Sequence, residues 1–270
     1  MRASTANRMV LWIVGCIGVF ALLLFIGGDP DAREMAGTFV VLAVTIGGLS
    51  WLGYHYRVRP RRESFEGQAR DLGFRAEPGD PVRLLDLPFT LFGRMASVRD
   101  IENTAMGSRG GAELVIADYW YAPSSDTSRD DYKRYTCILA ATPGGWPDLS
   151  VFPEGLASRL RSTFAMPDVR FESEAFNRRF EVHADDRRFA SAFVDARMMA
   201  WLLEQVPGMG FEVLGGRLMV FRPRVTTSVD DVSRALELFE GLTERVPRVV
   251  PSLFPGVPPR PDRRTERPRP

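Results

Sequence analysis

Imidazole is the side chain most suited to moving protons near neutral pH. The chain has two, His55 and His183. Neither has a second His or a Cys at ligand spacing. A zinc site needs three or four such ligands, so no metal ligand is assigned. Paired acids occur at Asp130-Asp131, Asp185-Asp186 and Asp230-Asp231. Adjacent carboxylates can bridge a metal or share acid and base roles. Here the first pair falls in a polar loop and the others at helix starts, where capping of backbone amides explains them. The glycine-rich stretch 106–111, MGSRGG, lacks the lysine of a P-loop, and no helix opens behind it, so it reads as a hairpin turn. No G-x-S-x-G, H-E-x-x-H or kinase signature occurs. No catalytic or cofactor-binding residue is assigned, and no cofactor is expected. A dispersed active site would need Tyr119, Tyr121 and Asn177, or separate carboxylates, to converge in space.

The densest charge is RVRPRR at 57–62. Beside an anionic leaflet each arginine contributes about 1 kcal/mol. Weak lipid-headgroup contact by Arg57, Arg59, Arg61 and Arg62 is therefore the one binding role read from spacing. A net charge of +1 over 270 residues leaves no footprint for nucleic acid.

The element that would place those arginines is an apolar pair of runs, 9–27 and 36–54, each uncharged. Nineteen residues rise about 28 Å as a helix, close to a hydrocarbon core of about 30 Å. Trp12, Trp51, Tyr54 and Tyr56 lie near the ends, where amphipathic rings suit headgroups. Arg2 and Arg8 precede the first run, and the loop between the runs sets Arg33 against Asp29, Asp31 and Glu34. The positive-inside rule then puts both termini in the cytoplasm. The expectation is a multi-pass protein of the inner (plasma) membrane with residues 1–56 as a transmembrane hairpin. No charge lies within either run, which argues against an ion path. Ala43 and Gly47 would permit close helix approach, but oligomeric state is left open. Cys16 and Cys137 cannot meet in this arrangement, consistent with a reducing compartment.

Behind the hairpin, residues 57–72 read as a basic linker and a short helix capped by Ser64. Residues 73–246 read as a single cytosolic domain. Strands are expected at 74–77, 88–93, 97–104, 113–121, 134–141, 149–152 and 169–171. The run 113–121 carries apolar groups on both faces, as a central strand does. A short helix is expected within 153–166, and an extended, kinked run at 173–182. Phe189, Phe193, Ala196, Ala200 and Leu203 repeat as one amphipathic helix. A hairpin turning at Gly215-Gly216 and a last helix from Ser228 complete the domain. Residues 247–270 are rich in Pro and Arg and are expected to be disordered.

The order of several motifs resembles an uncharacterised family of bacterial membrane-anchored proteins, a domain of unknown function. They are Asp118-Tyr119-Trp120-Tyr121, the stretch 147–154 (PDLSVFPE), the stretch 171–180 (FESEAFNRRF), the helix that follows, and Arg222-Pro223. The likeness covers about 160 residues, 88–247, and implies a shared cytosolic fold with no catalytic residue to transfer. Ala117, before Asp118, departs from the aromatic that the family more often has.

The fold class expected is α+β: a two-helix transmembrane hairpin, then a cytosolic domain with a mostly antiparallel sheet and two main helices. The expected function is a membrane-tethered binding or scaffolding module, with the lipid bilayer and a protein at the inner leaflet as partners. The alternative is a membrane-tethered enzyme with a dispersed site.

Overall fold

The computed structural model describes residues 30–53, 59–93, 98–124, 127, 131–143, 145–160, 166–224 and 230–255. The first apolar run, Cys16, His55, Arg57 and the stretch 256–270 lie outside the described residues. The chain divides into two compact units, Met1–Gly67 and Gln68–Pro270.

In the first unit, α1 runs Pro30–Gly53. Proline at the first helical position has no amide to leave unpaired. The helix therefore begins inside the expected loop and takes in Asp31, Arg33 and Glu34. The transmembrane hairpin is overturned: among the described residues, no helix is long and apolar enough to cross a membrane. The first turn of α1 carries Asp31, Arg33 and Glu34, charged groups that are costly in hydrocarbon. Gly37, Thr38, Thr45, Gly47 and Gly48 dilute the apolar stretch that follows. The multi-pass inner-membrane placement with both termini cytoplasmic falls with the hairpin.

Helix α2 is Arg59–Asp71 and takes in Arg59, Arg61 and Arg62 of the basic run; Ser64, expected as its cap, lies inside it. At its end Gly73 takes φ 81°, and the Phe74 amide donates to the Ala69 carbonyl at 2.7 Å. A glycine closes a helix this way because it reaches positive φ without strain.

The second unit is built on one eight-stranded sheet in which every described pairing is antiparallel. Its strands are β1 Arg75–Pro78, β2 Val98–Arg109, β3 Ala112–Ala122, β4 Lys133–Ala141, β5 Leu149–Pro153, β6 Phe180–Ala184, β7 Gly210–Leu214 and β8 Arg217–Pro223. Their spatial order is β1-β2-β3-β4-β8-β7-β5-β6. Two hairpins turn on Gly-Gly pairs, Gly110-Gly111 (φ 59° and 81°) and Gly215-Gly216 (φ 56° and 75°). Two-residue turns that follow the strand twist need positive φ at both positions. The first turn is tighter than expected, because Met106–Arg109 continue β2.

On one face Tyr119, Tyr121, Tyr135, Cys137, Met219, Phe221 and Phe152 form the aromatic core. The segment 84–93 covers it with Leu84, Phe89, Leu91 and Phe92. That segment is not the strand expected at 88–93. Its amides go to carboxylates instead of a ladder: Leu84 and Leu85 to Asp80, Thr90 and Leu91 to Glu212. On the other face lie Leu114, Ile116, Ile138 and Val220, all buried. Helix α7, Asp231–Arg245, packs against β4 and β8 there, burying Val232, Leu236, Phe239 and Leu242.

Short helices close the rest. Helix α3 is Glu154–Leu160. Where an extended run was expected, α4, Glu174–Arg179, is capped by Ser173 and followed by β6. The expected strand at 169–171 is reduced to a single bridge between Asp168 and His183. The expected long helix is two, α5 Arg187–Phe193 and α6 Ala196–Glu204. The carboxylate of Asp195 between them accepts the Met198 amide at 2.8 Å, and a cap starts a new helix where periodicity alone shows none. Past Pro247, α8, Val249–Leu253, buries Val250, and the Phe254 ring meets Phe189 edge-on at 5.0 Å.

Candidate functional site

The polar groups that sequence reading left scattered gather at one end of the sheet, around β2, β3, β4 and β8. A β-bulge in β2 between Ile101 and Asn103 sets Glu102 out of register. A bulge re-aims a side chain, and here it turns Glu102 to Arg224, whose Nη2 lies 2.7 Å from Glu102 Oε2. Arg224 Nη1 lies 2.9 Å from Oδ2 of Asp118, a carboxylate with no solvent exposure. Asn103 Nδ2 donates to Asp118 Oδ2 at 3.1 Å, and Thr136 Oγ1 to Oδ1 at 3.3 Å. Burial alone would lower the Arg224 pKa; Asp118 and Glu102 outweigh it and the pKa rises.

Two residues earlier on β8, Arg222 is less well served. Its Nη1 is 3.9 Å from Asp231 Oδ1; as in Arg224, its Nε and Nη1 make no well-directed hydrogen bond among the described residues. Burial lowers its pKa, against the pull of Asp231. The Asp230-Asp231 pair was expected to cap a helix. Asp230 holds the cap position without a side-chain capping bond, its carboxylate 3.6 Å from Arg234, and Asp231 is buried beside Arg222.

At the rim of this cluster the side chains reach solvent. Asp100, Trp120 and Arg134 stand abreast on three neighbouring strands. The Trp120 ring stacks on Tyr132 at 4.7 Å and 8°, and the Arg134 guanidinium lies 5.8 Å from the Tyr132 ring centre. All four are half-buried. Asp100 is raised in pKa by burial, and Oδ1 accepts the amide of its neighbour Ile101 at 2.8 Å.

A second polar centre lies on the opposite face. Glu212 has no exposure. Its carboxylate accepts the amides of Thr90 (3.1 Å) and Leu91 (3.2 Å) and the Ser150 hydroxyl (3.0 Å). Burial pushes its pKa up to about 7, and these donors pull against that. Burial likewise raises the Cys137 thiol, with Asp118 and Glu212 adding to the effect.

The residues needed for a dispersed active site do not come together. Tyr119 and Tyr121 are buried in the aromatic core, ring centres 6.0 Å apart. Burial raises the Tyr119 phenol above its ordinary value. Asn177 is used elsewhere: Nδ2 donates to the Phe171 carbonyl at 2.6 Å, and Oδ1 accepts the Phe171 amide at 3.0 Å. His183 sits between the Met166 carbonyl (3.2 Å) and Glu181 (3.1 Å). No group of metal-binding side chains occurs among the described residues. Asp186 caps α5, as the sequence suggested. Of the four arginines assigned to lipid, Arg59, Arg61 and Arg62 fall in α2, and Arg62 Nε pairs with Glu66 at 2.6 Å along the helix. Sequence reading missed Glu102, Arg222, Arg224 and Glu212. The available signal was a charged residue inside an otherwise apolar strand, at Asp118 and again at Glu212.

No protein-family model and no curated protein matches the chain. Among solved structures it is similar to the crystal structure of the mycobacterial trehalose monomycolate transport factor A, TtfA. The identity is 14% and the TM-score 0.45, over 70% of this chain and 97% of that one. A likeness so distant carries no argument about this chain.

Proposed function

We propose that the second unit is a non-enzymatic binding module that takes a protein partner on the rim formed by Asp100, Trp120, Tyr132 and Arg134. The observation that supports this reading is the half-buried Trp120–Tyr132 stack with a guanidinium near its ring. Trp, Tyr and Arg are the residue types that dominate interface energetics, because each offers a large contact area and a polar handle. The buried ion pairs behind the rim hold its strands in one arrangement. Catalysis needs a titratable group within reach of a substrate. Glu212, whose pKa burial pushes up to about 7, has no solvent exposure and is bonded to Thr90, Leu91 and Ser150.

The test is affinity capture from the native host with the wild-type chain and with W120A/Y132A. A partner retained by the wild type and lost by the double variant, at matched thermal stability, is the expected result. Equal retention by both chains would overturn the reading.

A further inference from the structure

Helix α1 has two unlike faces. Phe39, Ala43, Ile46 and Gly47 are half-buried and share one of them, at i, i+4, i+7 and i+8. The opposite face is open and apolar. Val41 is 66% exposed, Val44 68% and Leu49 65%, with Val40 and Leu42 exposed on the flanks. Thr45 offers this face its methyl group, because its hydroxyl donates to the Val41 carbonyl at 2.8 Å. Contiguous apolar exposure of this kind marks an interaction surface. Ala43 and Gly47, the pair that the sequence suggested for close helix approach, lie on the half-buried side.

Along the middle of the open face run Gly37, Val41, Val44 and Gly48, all exposed, at successive spacings of four, three and four residues. A Cβ added at Gly37 or Gly48 would meet nothing within 4 Å. The stripe reads the same in both directions. We propose that this face binds α1 of a second copy of the chain, antiparallel, about a two-fold axis between Val41 and Val44. The operation sets Val41 against Val44 of the partner subunit and Gly37 against Gly48 of the partner subunit. Each contact then occurs twice, as an isologous interface requires. Alternating spacings of four and three form the seam along which two helices pack at a small crossing angle. Glycines let the backbones close at the ends, and the valines of both copies fill the centre. Because the stripe is its own complement, a second copy fits it with no further coincidence of sequence. Charge fixes the direction. The first turn of α1 carries Asp31, Arg33 and Glu34, and its last turn carries no base. A parallel pair sets each of these charges beside its own kind. The antiparallel pair sets them beside an uncharged turn, after which the chain becomes basic at Arg57. Opposed helix dipoles add to the preference. The charged first turn also disfavours lipid as the occupant.

The test uses the full chain. Sedimentation over a concentration series should show a monomer–dimer equilibrium. V41E/V44E should weaken the dimer about a hundredfold or more, because each glutamate must lose water to enter the contact. W120A/Y132A should leave the dimer unchanged, which separates this surface from the rim. Direction is read by cysteine cross-linking in a C16S background, with copies of different size carrying G37C or G48C; Cys137 is buried. Oxidation of the mixture should join G37C to G48C, and neither variant alone should cross-link. G37C joined to G37C would show a parallel pair and overturn the inference. A chain that stays monomeric and does not cross-link would overturn it too, and recovery of that monomer on phosphatidylcholine vesicles would assign the face to lipid. A dimer that V41E/V44E leaves intact, with no G37C–G48C product, would put the contact elsewhere and sink the inference as well.

Discussion

Asp118 and Glu212 are both carboxylates with no exposure, on opposite faces of one sheet, and the protein handles them differently. Asp118 is met by a cation, Arg224, which Glu102 also holds. Among the described residues Glu212 is met by neutral donors, two amides and a hydroxyl. The two solutions suit different tasks. A cation balances the charge outright but must itself be buried, and the pair then depends on both members. Neutral donors leave the charge unbalanced, and the raised pKa of Glu212 registers the imbalance. The ion pair fixes the strands behind the rim. The lone carboxylate fastens the segment 84–93 over the aromatic core.

The largest effect comes from breaking the pair. R224A leaves Asp118 buried without its cation, and removing one partner of a buried pair costs about 3–5 kcal/mol. The urea midpoint should fall accordingly. D118N/R224M, which removes both charges, should recover most of the loss, since apolar or neutral replacement of a whole buried pair is often close to neutral. A double variant as unstable as R224A would show that Arg224 acts through packing and not through charge.

The next effect is the pH dependence of Glu212. Its folded pKa, about 7, stands above the ordinary 4.5. The folded state therefore binds the proton more tightly than the unfolded state. The stability from this group is fully present below pH 4.5 and is lost as pH rises through about 7. The window is worth roughly 3 kcal/mol at about 1.4 kcal/mol per unit. E212Q cannot titrate, so its urea midpoint should decline less than that of the wild type between pH 4.5 and pH 8. Parallel profiles for the two chains would remove Glu212 as the source.

The sheet was legible because its signals are local. Alternation with apolar groups on both faces marks β3 as interior, and the Gly-Gly pairs mark two hairpins. The segment 88–93 has the composition of a strand, but the amides of Thr90 and Leu91 were claimed by Glu212, more than a hundred residues away. Nothing local announces that competition. The division between α5 and α6 was hidden because Phe189, Phe193, Ala196 and Ala200 keep a helical repeat across the Asp195 cap. The apolar run at 36–54 was read from its length, its lack of charge and the aromatic and arginine residues at its ends. Its helix begins earlier, among Asp31, Arg33 and Glu34, where composition suggested a loop. The candidate site was the least legible part. Glu102, Asp118, Arg222 and Arg224 come together only through a bulge and strand pairings that no spacing rule contains.

The smallest effect separates the two carboxylates most sharply. Ser150 and Thr136 each give one hydroxyl, to Glu212 at 3.0 Å and to Asp118 at 3.3 Å. A hydrogen bond to a charged group contributes about 1.5–3 kcal/mol and one to a neutral group about 1. S150A should therefore cost more at pH 8, where Glu212 is mostly ionised, than at pH 5, where it is mostly protonated. The loss of that donor also moves the Glu212 pKa further up, because the hydroxyl favours the charged form. T136A removes a longer bond from a carboxylate whose charge Arg224 already balances, and should cost about 1 kcal/mol or less. Urea midpoints of both variants at pH 5 and pH 8 decide it. An S150A penalty that does not grow with pH would mean that Glu212 is held by Thr90 and Leu91 alone, and that the covering segment carries the whole of its charge.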